Sequence, residues 1–382
     1  MITDEDLDSG KIKKARAQVA LLNDSGITSE LIIVTNVREE KKGNGKQVKL
    51  VYVEKSEKET ILSRWERART IRNIIRGILK SLGSDDIFYY RGSFSVWYYP
   101  ATFFRPGKKY RIVSEHQSIE IQQRLRMKSP LPAFIDLLSG NITIGQSDGL
   151  IGVTHEITAF WTKRLFYRNI PRTTIPNGFD VRSVEVRKHP PLDPHTIHIL
   201  FVGNISHWHG LDRMIRGIAS YRGPVEVHFH IVGDGAELEN LKKLKTTLAP
   251  AAGIHFHGFL RGRELDTLFN ICHIAVGSLG IHRKGLHYTS ELKAREYCAR
   301  GIPYIIACSD TDFPGDFPYI LRLAPDDSAV NMEDIISFAQ TIYDIPNHPS
   351  MMNKYAAENL DWAVKVKKLK DFIEKDLSGG PR

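Results

Sequence analysis

Chemistry gathers first in the stretch Ser290-Glu-Leu-Lys-Ala-Arg-Glu-Tyr-Cys-Ala-Arg-Gly-Ile-Pro-Tyr-Ile305. Ser290 has the side chain of an N-cap, the ten residues after it suit a helix, and Gly301 supplies a left-handed stop ahead of Pro303. A helix start behind a small-residue loop presents free amides and a positive dipole end, which suits a phosphate. One turn further, the Glu296 carboxylate can accept two hydroxyl hydrogen bonds, as a ribose or sugar offers. A plainer reading also fits. Glu291 with Arg295 and Glu296 with Arg300 are i,i+4 pairs, each worth ~0.3–0.5 kcal/mol as surface bridges.

Other loops could join this chemistry. Gly203-Asn-Ile-Ser-His-Trp-His-Gly210 lies between a strand pattern and a helix pattern. Gly203 permits close backbone approach, and Asn204 and His209 can donate to phosphate oxygens, with Trp208 as a wall. Gly233-Asp-Gly235 follows another strand, and Gly277-Ser-Leu-Gly280 a third, with Arg283 and Lys284 behind it as positive charges or a solvated basic loop. Asp310-Thr-Asp312 reads as a turn, and His282 with His287 lacks a third ligand at useful spacing, so no metal is expected. His228 and His230 alternate with apolar residues and suggest an exposed sheet face. Earlier, Ser114-Glu-His116 ends a strand, where His116 can contact a sugar hydroxyl or take a proton. Asp8-Ser9-Gly10 offers a second loop of backbone donors. Lys11, Lys13, Lys14 and Arg16 then form a basic helix face suited to an acidic acceptor, a membrane surface or solvent.

Strands and helices alternate in a way that positions these loops. Helices are expected over Lys11–Leu22 and roughly Lys58–Leu82, around Trp97–Phe103 and Pro132–Ser139, and over Glu156–Phe166. Strands are expected at Glu30–Thr35, Val48–Glu54, Asp86–Tyr90, Tyr110–Ser114 and Gly149–Thr154. A polar, proline-rich run over 181–196 reads as a linker. The alternation then restarts with strands at His198–Gly203, Val225–Gly233, Ile254–Gly258, Ile274–Gly277, Tyr304–Ala307 and Tyr319–Ala324. The pattern predicts an α/β fold of two Rossmann-like, doubly wound parallel-sheet domains, 1–180 and 197–354, facing a cleft. Ligands of such sheets sit beyond the carboxyl ends of the strands, so the loops above are where the site is expected.

The 382 residues carry a formal charge of +9, and the pI is near 9.3, so anionic partners are favoured. No run of about 20 apolar residues is present for a membrane span, and the acidic N-terminus lacks the apolar core of a signal peptide. Cys272, Cys298 and Cys308 lie in apolar contexts without motif spacing and read as buried thiols of a reducing compartment.

In order, Ile175-Pro-Asn-Gly-Phe-Asp180, Phe201-Val-Gly with Trp208-His-Gly-Leu-Asp-Arg213, His230-Ile-Val-Gly-Asp-Gly235, His257-Gly-Phe-Leu260 and Glu296-Tyr-Cys-Ala-Arg-Gly-Ile-Pro303 resemble the GT-B retaining glycosyltransferases of the large family 4 type. The resemblance covers nearly the whole chain and is firmest over 173–307. It implies that Glu296 holds a nucleotide ribose and that the backbone around Thr289, Ser290, Glu291 and Leu292 binds the diphosphate of a nucleotide sugar. Gly203, Gly210, Gly233 and Gly277 would line the donor site, with His116 and Gly10 on the acceptor side. Asn204 and His209 stand where the family carries Arg and Lys, and Lys293, or Arg283 and Lys284, would supply the charge. Tyr288 falls where the family's first glutamate stands, eight residues before Glu296, leaving donor-sugar contacts to Glu291 or backbone. The last helix, 355–376, resembles the family's crossing helix onto the N-terminal domain, whereas the strand that family members carry before the Asp8-Ser9-Gly10 loop is missing from the sequence.

The reading is a cytoplasmic, metal-independent hexosyl-type glycosyltransferase that needs no cofactor beyond its nucleoside-diphosphate sugar co-substrate. His116, Lys293 and Glu296 would carry the reaction. The acceptor would be a glycan or lipid-linked hydroxyl of cell-envelope polysaccharide synthesis, and the basic balance suits a peripheral place at the inner, anionic face of the plasma membrane. The alternative is a catalytically impaired nucleotide-sugar-binding or scaffold homologue. Nucleic-acid binding ranks last, because the basic residues form no single stripe interleaved with aromatics.

Overall fold

A computed structural model describes residues 10–35, 48–53, 60–91, 109–119, 122, 134, 137, 140–141, 144–163, 169–188, 190–248 and 253–377. Asp8 and Ser9, the helix expected around Trp97–Phe103 and most of that around Pro132–Ser139 lie outside these residues. The chain forms two compact units, one of residues 1–176 with 362–382 and one of residues 177–361.

In the first unit, helix α1 (Gly10–Asp24) precedes the parallel pair β1 (Leu31–Thr35) and β2 (Val48–Tyr52). Helix α2 (Ile61–Ser81) starts at a capping box in which Thr60 and Ser63 bond each other's backbone N–H. A second parallel sheet has the order β3 (Ile87–Arg91), β4 (Arg111–His116), β5 (Gly149–Gly152), β6 (Arg172–Thr174), with α3 (His155–Thr162) after β5. Ile32 on β1 and Phe88 on β3 line one cavity of about 740 Å³, together with Val19 and Leu22 of α1 and Ile78 of α2. The basic face expected on α1 is corrected at Lys14. Its ammonium is buried and bonds Glu115 Oε1 at 2.6 Å, a charge kept inside because it is paired.

The second unit is a six-stranded parallel sheet in the order β14-β12-β10-β7-β8-β9. Its strands are β7 (Thr196–Val202), β8 (Glu226–Val232), β9 (Gly253–Gly258), β10 (Ile274–Val276), β12 (Tyr304–Ile306) and β14 (Ile320–Arg322). A small parallel pair, β11 (Tyr288–Thr289) with β13 (Ser309–Asp310), stands apart. The helices are α4 (Leu211–Ser220), α5 (Leu238–Leu248), α6 (Arg263–Ile271), α7 (Leu292–Arg300), α8 (Met332–Tyr343) and α9 (His348–Asn359). All three residues of β10 and of β12 are buried, as central parallel strands covered on both faces require. One core lies on the face of Ile199, Phe201, Phe229 and Ile231, the other on the face of Leu200, Val232, Tyr297 and Tyr304. The chain winds outward from β7 through β8 to β9, then returns to place β10 on β7's other side. The switch point therefore falls between β7 and β10, where a doubly wound sheet opens its crevice.

The domain expectations shift at two places. Residues 181–196 belong to the second unit because Arg187 is buried in it, donating to Gly301 O at 3.0 Å and to Cys272 O. Residues 355–361 also stay there. Helix α9 packs on α7, with Pro349 against Gly301 and Cys298 Sγ 3.2 Å from Met352 O, and Phe179 N bonds Leu360 O at 2.9 Å. Only α10 (Trp362–Asp371), continued by a π turn Phe372–Asp376, joins the first unit, packing Val366, Leu369 and Phe372 against Val113 and Ile151. Cys272 and Cys298 are buried and Cys308 partly so, all as free thiols.

Candidate functional site: the head of α7 and its glycine turns

The loops after β7 and β10 meet at the switch point. His209 O accepts from Leu279 N at 3.0 Å, Trp208 O from Gly280 N at 3.2 Å, and buried Arg213 holds Leu279 O at 2.6 Å. Gly210 turns there at φ +64°, where an added Cβ would lie 2.9 Å from the Leu279 carbonyl carbon, so only glycine fits. Gly233 is needed for the same reason: φ is +129° and a Cβ would come 1.9 Å from Gly203 O. Tyr297 of α7 ties the strand ends together, accepting from Val202 N and donating to Val276 O, each at 3.1 Å.

The start of α7 differs from expectation. Glu291, not Ser290, occupies the N-cap position, and its side chain makes no cap bond. Ser290 Oγ is taken by Asn177 N at 2.7 Å, while Ser290 O accepts from Asn177 Nδ2 at 2.6 Å. This turn is clamped from below by fully buried Arg295, whose five N–H groups are all used. They reach Asn177 O, Glu291 O, both oxygens of Asp310, and Asp312 Oδ2. Burial alone would lower the Arg295 pKa, but the two carboxylates outweigh it and keep the guanidinium charged. The Asp310-Thr-Asp312 turn is thus the arginine's counter-ion. Among the described residues no group of three or more metal-ligating side chains has metal-site geometry. Of the two expected i,i+4 pairs, Glu296–Arg300 forms at 2.9 Å, whereas Arg295 meets only the backbone of Glu291.

Above the clamp, the polar groups are unsatisfied. Lys293 Nζ lies 4.0 Å from Glu291 Oε2, with side-chain exposures of 12% and 11%, and neither atom makes a hydrogen bond to protein. Lys293 Nζ also sits 4.5 Å from the Phe201 ring centroid, and a Cβ on Gly203 would lie 3.8 Å from it. A Cβ on Gly277 would lie 3.7 Å from Glu291 Oε2, and the buried Ser278 hydroxyl has no partner either. Burial pulls the Lys293 pKa down while Glu291 pushes it back up. His209 is buried and its Nδ1 accepts from Ser206 N at 3.1 Å, which leaves the ring proton on Nε2. Desolvation, helped by Lys293 and Lys284, holds its pKa well below the usual value, so this donor is neutral.

The remaining expected residues are placed as follows. Asn204 is exposed and accepts from Ser206 Oγ at 3.0 Å. Tyr288 and Thr289 form β11, with Tyr288 40% exposed, and Leu292 opens α7. Glu296 keeps 22% side-chain exposure beside Arg300. Arg283 is committed elsewhere, bonding both oxygens of Asp212 at 2.9 Å and Asp327 at 2.7 Å, so it is no phosphate ligand in waiting. Lys284 lies 4.7 Å from the Trp208 ring centroid. In the first unit Gly10 is the first residue of α1. His116 is buried at the end of β4, stacked on Trp161 at 4.1 Å with both ring nitrogens lacking a partner. Burial drives its pKa to about 3 against the pull of Glu115, so it is neutral at physiological pH. Sequence reading missed the Arg295 clamp and Tyr297. The signal for the first was an arginine inside a helix start followed by two aspartates on a turn.

The fold defines the class: two α/β units built on parallel sheets, the GT-B architecture. Residues 184–281 match the family model described as Glycosyl transferases group 1. The whole fold is similar to the apo form of the lipopolysaccharide outer core galactosyltransferase WaaB, at 15% identity, TM-score 0.66 and coverage of 98% of each chain. It is similar also to Anabaena HepE solved with UDP-glucose, at 12% identity, TM-score 0.64 and 98% of each chain. Trehalose-6-phosphate synthase OtsA resembles it at 11% identity, TM-score 0.65 and 98% of each chain. A sequence search of curated proteins finds no match.

Proposed function

We propose that the protein is a nucleotide-sugar-dependent, retaining glycosyltransferase whose second unit binds the donor at the head of α7. The observation that carries this is the partly buried Lys293–Glu291 couple, whose Nζ and Oε2 atoms are desolvated at a helix start yet make no hydrogen bonds. A diphosphate would satisfy Lys293 and the helix amides, and sugar hydroxyls would satisfy Glu291. The neutral Nε2–H of His209 adds a donor to the phosphates, in the place of a family cation, and Glu296 is assigned to the ribose. The turn at Tyr288, Thr289, Ser290 and Leu292 supplies backbone. In the reaction the bond from the anomeric carbon to the diphosphate oxygen breaks, and a bond to the acceptor oxygen forms on the same face. The acceptor proton passes to the departing phosphate, so no enzyme nucleophile or metal is assigned. Lys293, His209 and the α7 amides lower the barrier by stabilising charge as it develops on the leaving group. His116, neutral and without partners, is assigned to a substrate hydroxyl in the first unit.

HepE is solved with UDP-glucose and WaaB is named as a galactosyltransferase of lipopolysaccharide. The first supports a nucleoside-diphosphate hexose donor, and the second supports hexosyl transfer to a cell-envelope glycan or lipid-linked acceptor. The net charge of +9 suits work at an anionic membrane face, and no described helix is long and apolar enough to cross one. The test is calorimetry with a panel of nucleoside-diphosphate hexoses, followed by an assay for released nucleoside diphosphate. Binding of at least one donor, weakened in Lys293→Met, is expected; no heat with any donor overturns the reading. Tyr288, standing at the family's first glutamate, favours a second reading, a donor-binding homologue without turnover. Binding without diphosphate release for every acceptor offered would select it.

A further inference from the structure

Six histidines come together on one face of the β7-β8-β9 half of the sheet. His198 lies on β7, His228 and His230 on β8, His255 and His257 on β9, and His273 just ahead of β10. The register places His198 beside His228 and His230 beside His255. Ring centroids of neighbours fall 4.7 Å (His198–His228) and 5.0 Å (His230–His255) apart with near-parallel planes. The opposite face of the same strands is plain hydrophobic core, with Ile199, Phe229 and Ile254.

The nitrogens of this face are linked. His198 Nδ1 meets His230 Nε2 at 3.0 Å, and His230 Nδ1 meets His257 Nε2 at 3.0 Å. A neutral imidazole has one N–H and one lone pair, so three neutral rings fill both contacts with one donor and one acceptor each. One added proton at either end leaves both contacts intact. A second forces two N–H groups together in one of them. His228 and His255 make a parallel pair at 3.4 Å, with His228 Nε2 held by Glu226 at 3.1 Å. His273 Nδ1 accepts from His198 N at 2.9 Å, and its Nε2 faces Pro191 O at 3.3 Å.

Few charges surround the array, and they oppose one another. Glu226 and Asp193 favour protons on His198; Lys245 of α5 disfavours one on His255, and Arg187 one on His273, on which Tyr343 also packs. Burial is the leading cause of the pKa shift at His198, His230, His255, His257 and His273. It lowers His230 to about 3 and His273 to about 4, and it lowers His198, His255 and His257 as well, with the neighbouring imidazoles adding to it at all but His257.

We propose that this histidine face is an acid-sensitive catch. Carrying at most one extra proton along its linked chain, it ties β7, β8 and β9 side by side; taking up more, it drives them apart and loosens the glycine turns they lead into. Each of these strands runs directly into such a turn, and the turns are knit together, Gly203 N to Val232 O at 3.0 Å and Gly233 N to Gly258 O at 2.6 Å. The sign is fixed by linkage. A histidine depressed below its unfolded value of about 6.5 stabilises the fold above that pH, and the contribution is lost as pH falls toward the folded value.

The test is urea unfolding of the full chain from pH 7.5 to 4.5, for the wild type, His257→Gln and His230→Gln. The linked chain binds at most one extra proton when folded and three when unfolded. Its share of the unfolding constant therefore rises at least about 100-fold per pH unit well below pH 6.5. In the His257→Gln variant the linkage requires a difference of only one proton, about 10-fold, and in the His230→Gln variant it requires none, leaving only the burial of His198 and His257. Graded slopes in that order support the catch, and three parallel curves overturn it. Half-buried His257 decides alone if the His230 variant does not fold. Amide exchange at pH 5.5 against 7.5, corrected for intrinsic rates, should rise in β9 and the Gly203 and Gly233 turns more than in β12. A uniform rise overturns the coupling to the turns. Neither readout depends on the donor reading, so the two stand or fall separately.

Discussion

Helix α7 carries buried charge on two sides, and the two sides are finished differently. Below, Arg295 spends every donor on Asn177, Glu291, Asp310 and Asp312, and its carboxylate partners are buried with it. Above, the Lys293 and Glu291 side chains are 12% and 11% exposed, and their Nζ and Oε2 atoms lie 4.0 Å apart without hydrogen bonds. Burying an ion costs several kcal/mol unless its partners are supplied. A saturated cluster recovers that cost within the fold, so it reads as architecture. An unsaturated one leaves the cost standing until something binds, so it reads as a ligand site. The same helix thus separates what the chain needs in order to fold from what it holds open for a substrate.

Breaking the lower side should give the largest effect. Arg295→Leu leaves Asp310 and Asp312 buried without a counter-ion and should cost about 3–5 kcal/mol in urea unfolding. Adding Asp310→Asn and Asp312→Asn to it should restore part of the loss, since no uncompensated charge remains. A single variant within 1 kcal/mol of wild type (about the smallest change that would still count) erases the distinction. Lys293→Met should do the reverse. Stability should hold or rise, because a desolvated ammonium is removed, while nucleoside-diphosphate affinity falls about 10–100-fold, the worth of ~1.5–3 kcal/mol for a charged hydrogen bond. Stability lost in step with binding would make Lys293 a structural residue like its neighbour.

Much of this arrangement could be read from the chain. Apolar runs cut by Gly and Pro marked β7, β8, β10 and β12, and Gly301 was legible as a stop because a left-handed φ of +77° with Pro349 pressed against it leaves no other residue a place. What escaped was set by distant partners. Ser290 has every local property of an N-cap, but Asn177, 113 positions away, takes its hydroxyl. Asp310 and Asp312 have turn composition, and only the packed fold brings Arg295 to them. Lys14 sits in a basic run that looks solvated, yet Glu115, 101 positions on, draws it inside. Likewise His228 and His230 were legible as alternating polar residues, but His230 is 7% exposed because other imidazoles cover it. Period and propensity mark elements; they are silent on which buried charges will meet.

Glu296 is the intermediate case and should give the smallest stability change. Its carboxylate bonds Arg300 at 2.9 Å, and Arg300 is held besides by Asp266 at 2.7 Å and by the Phe269 face. Losing one bond from a partner that keeps two others, at a partly exposed site, should cost at most about 0.5–1 kcal/mol in Glu296→Gln. If its role were that bridge alone, nucleotide affinity would follow stability and barely move. If it also holds the ribose, the amide should weaken a nucleoside diphosphate about 10-fold or more while inorganic pyrophosphate, which has no ribose, competes as before. Competition by pyrophosphate changing in step with the nucleotide would place the loss at the phosphates, and Glu296 would then belong with Arg295 among the residues that only shape the helix.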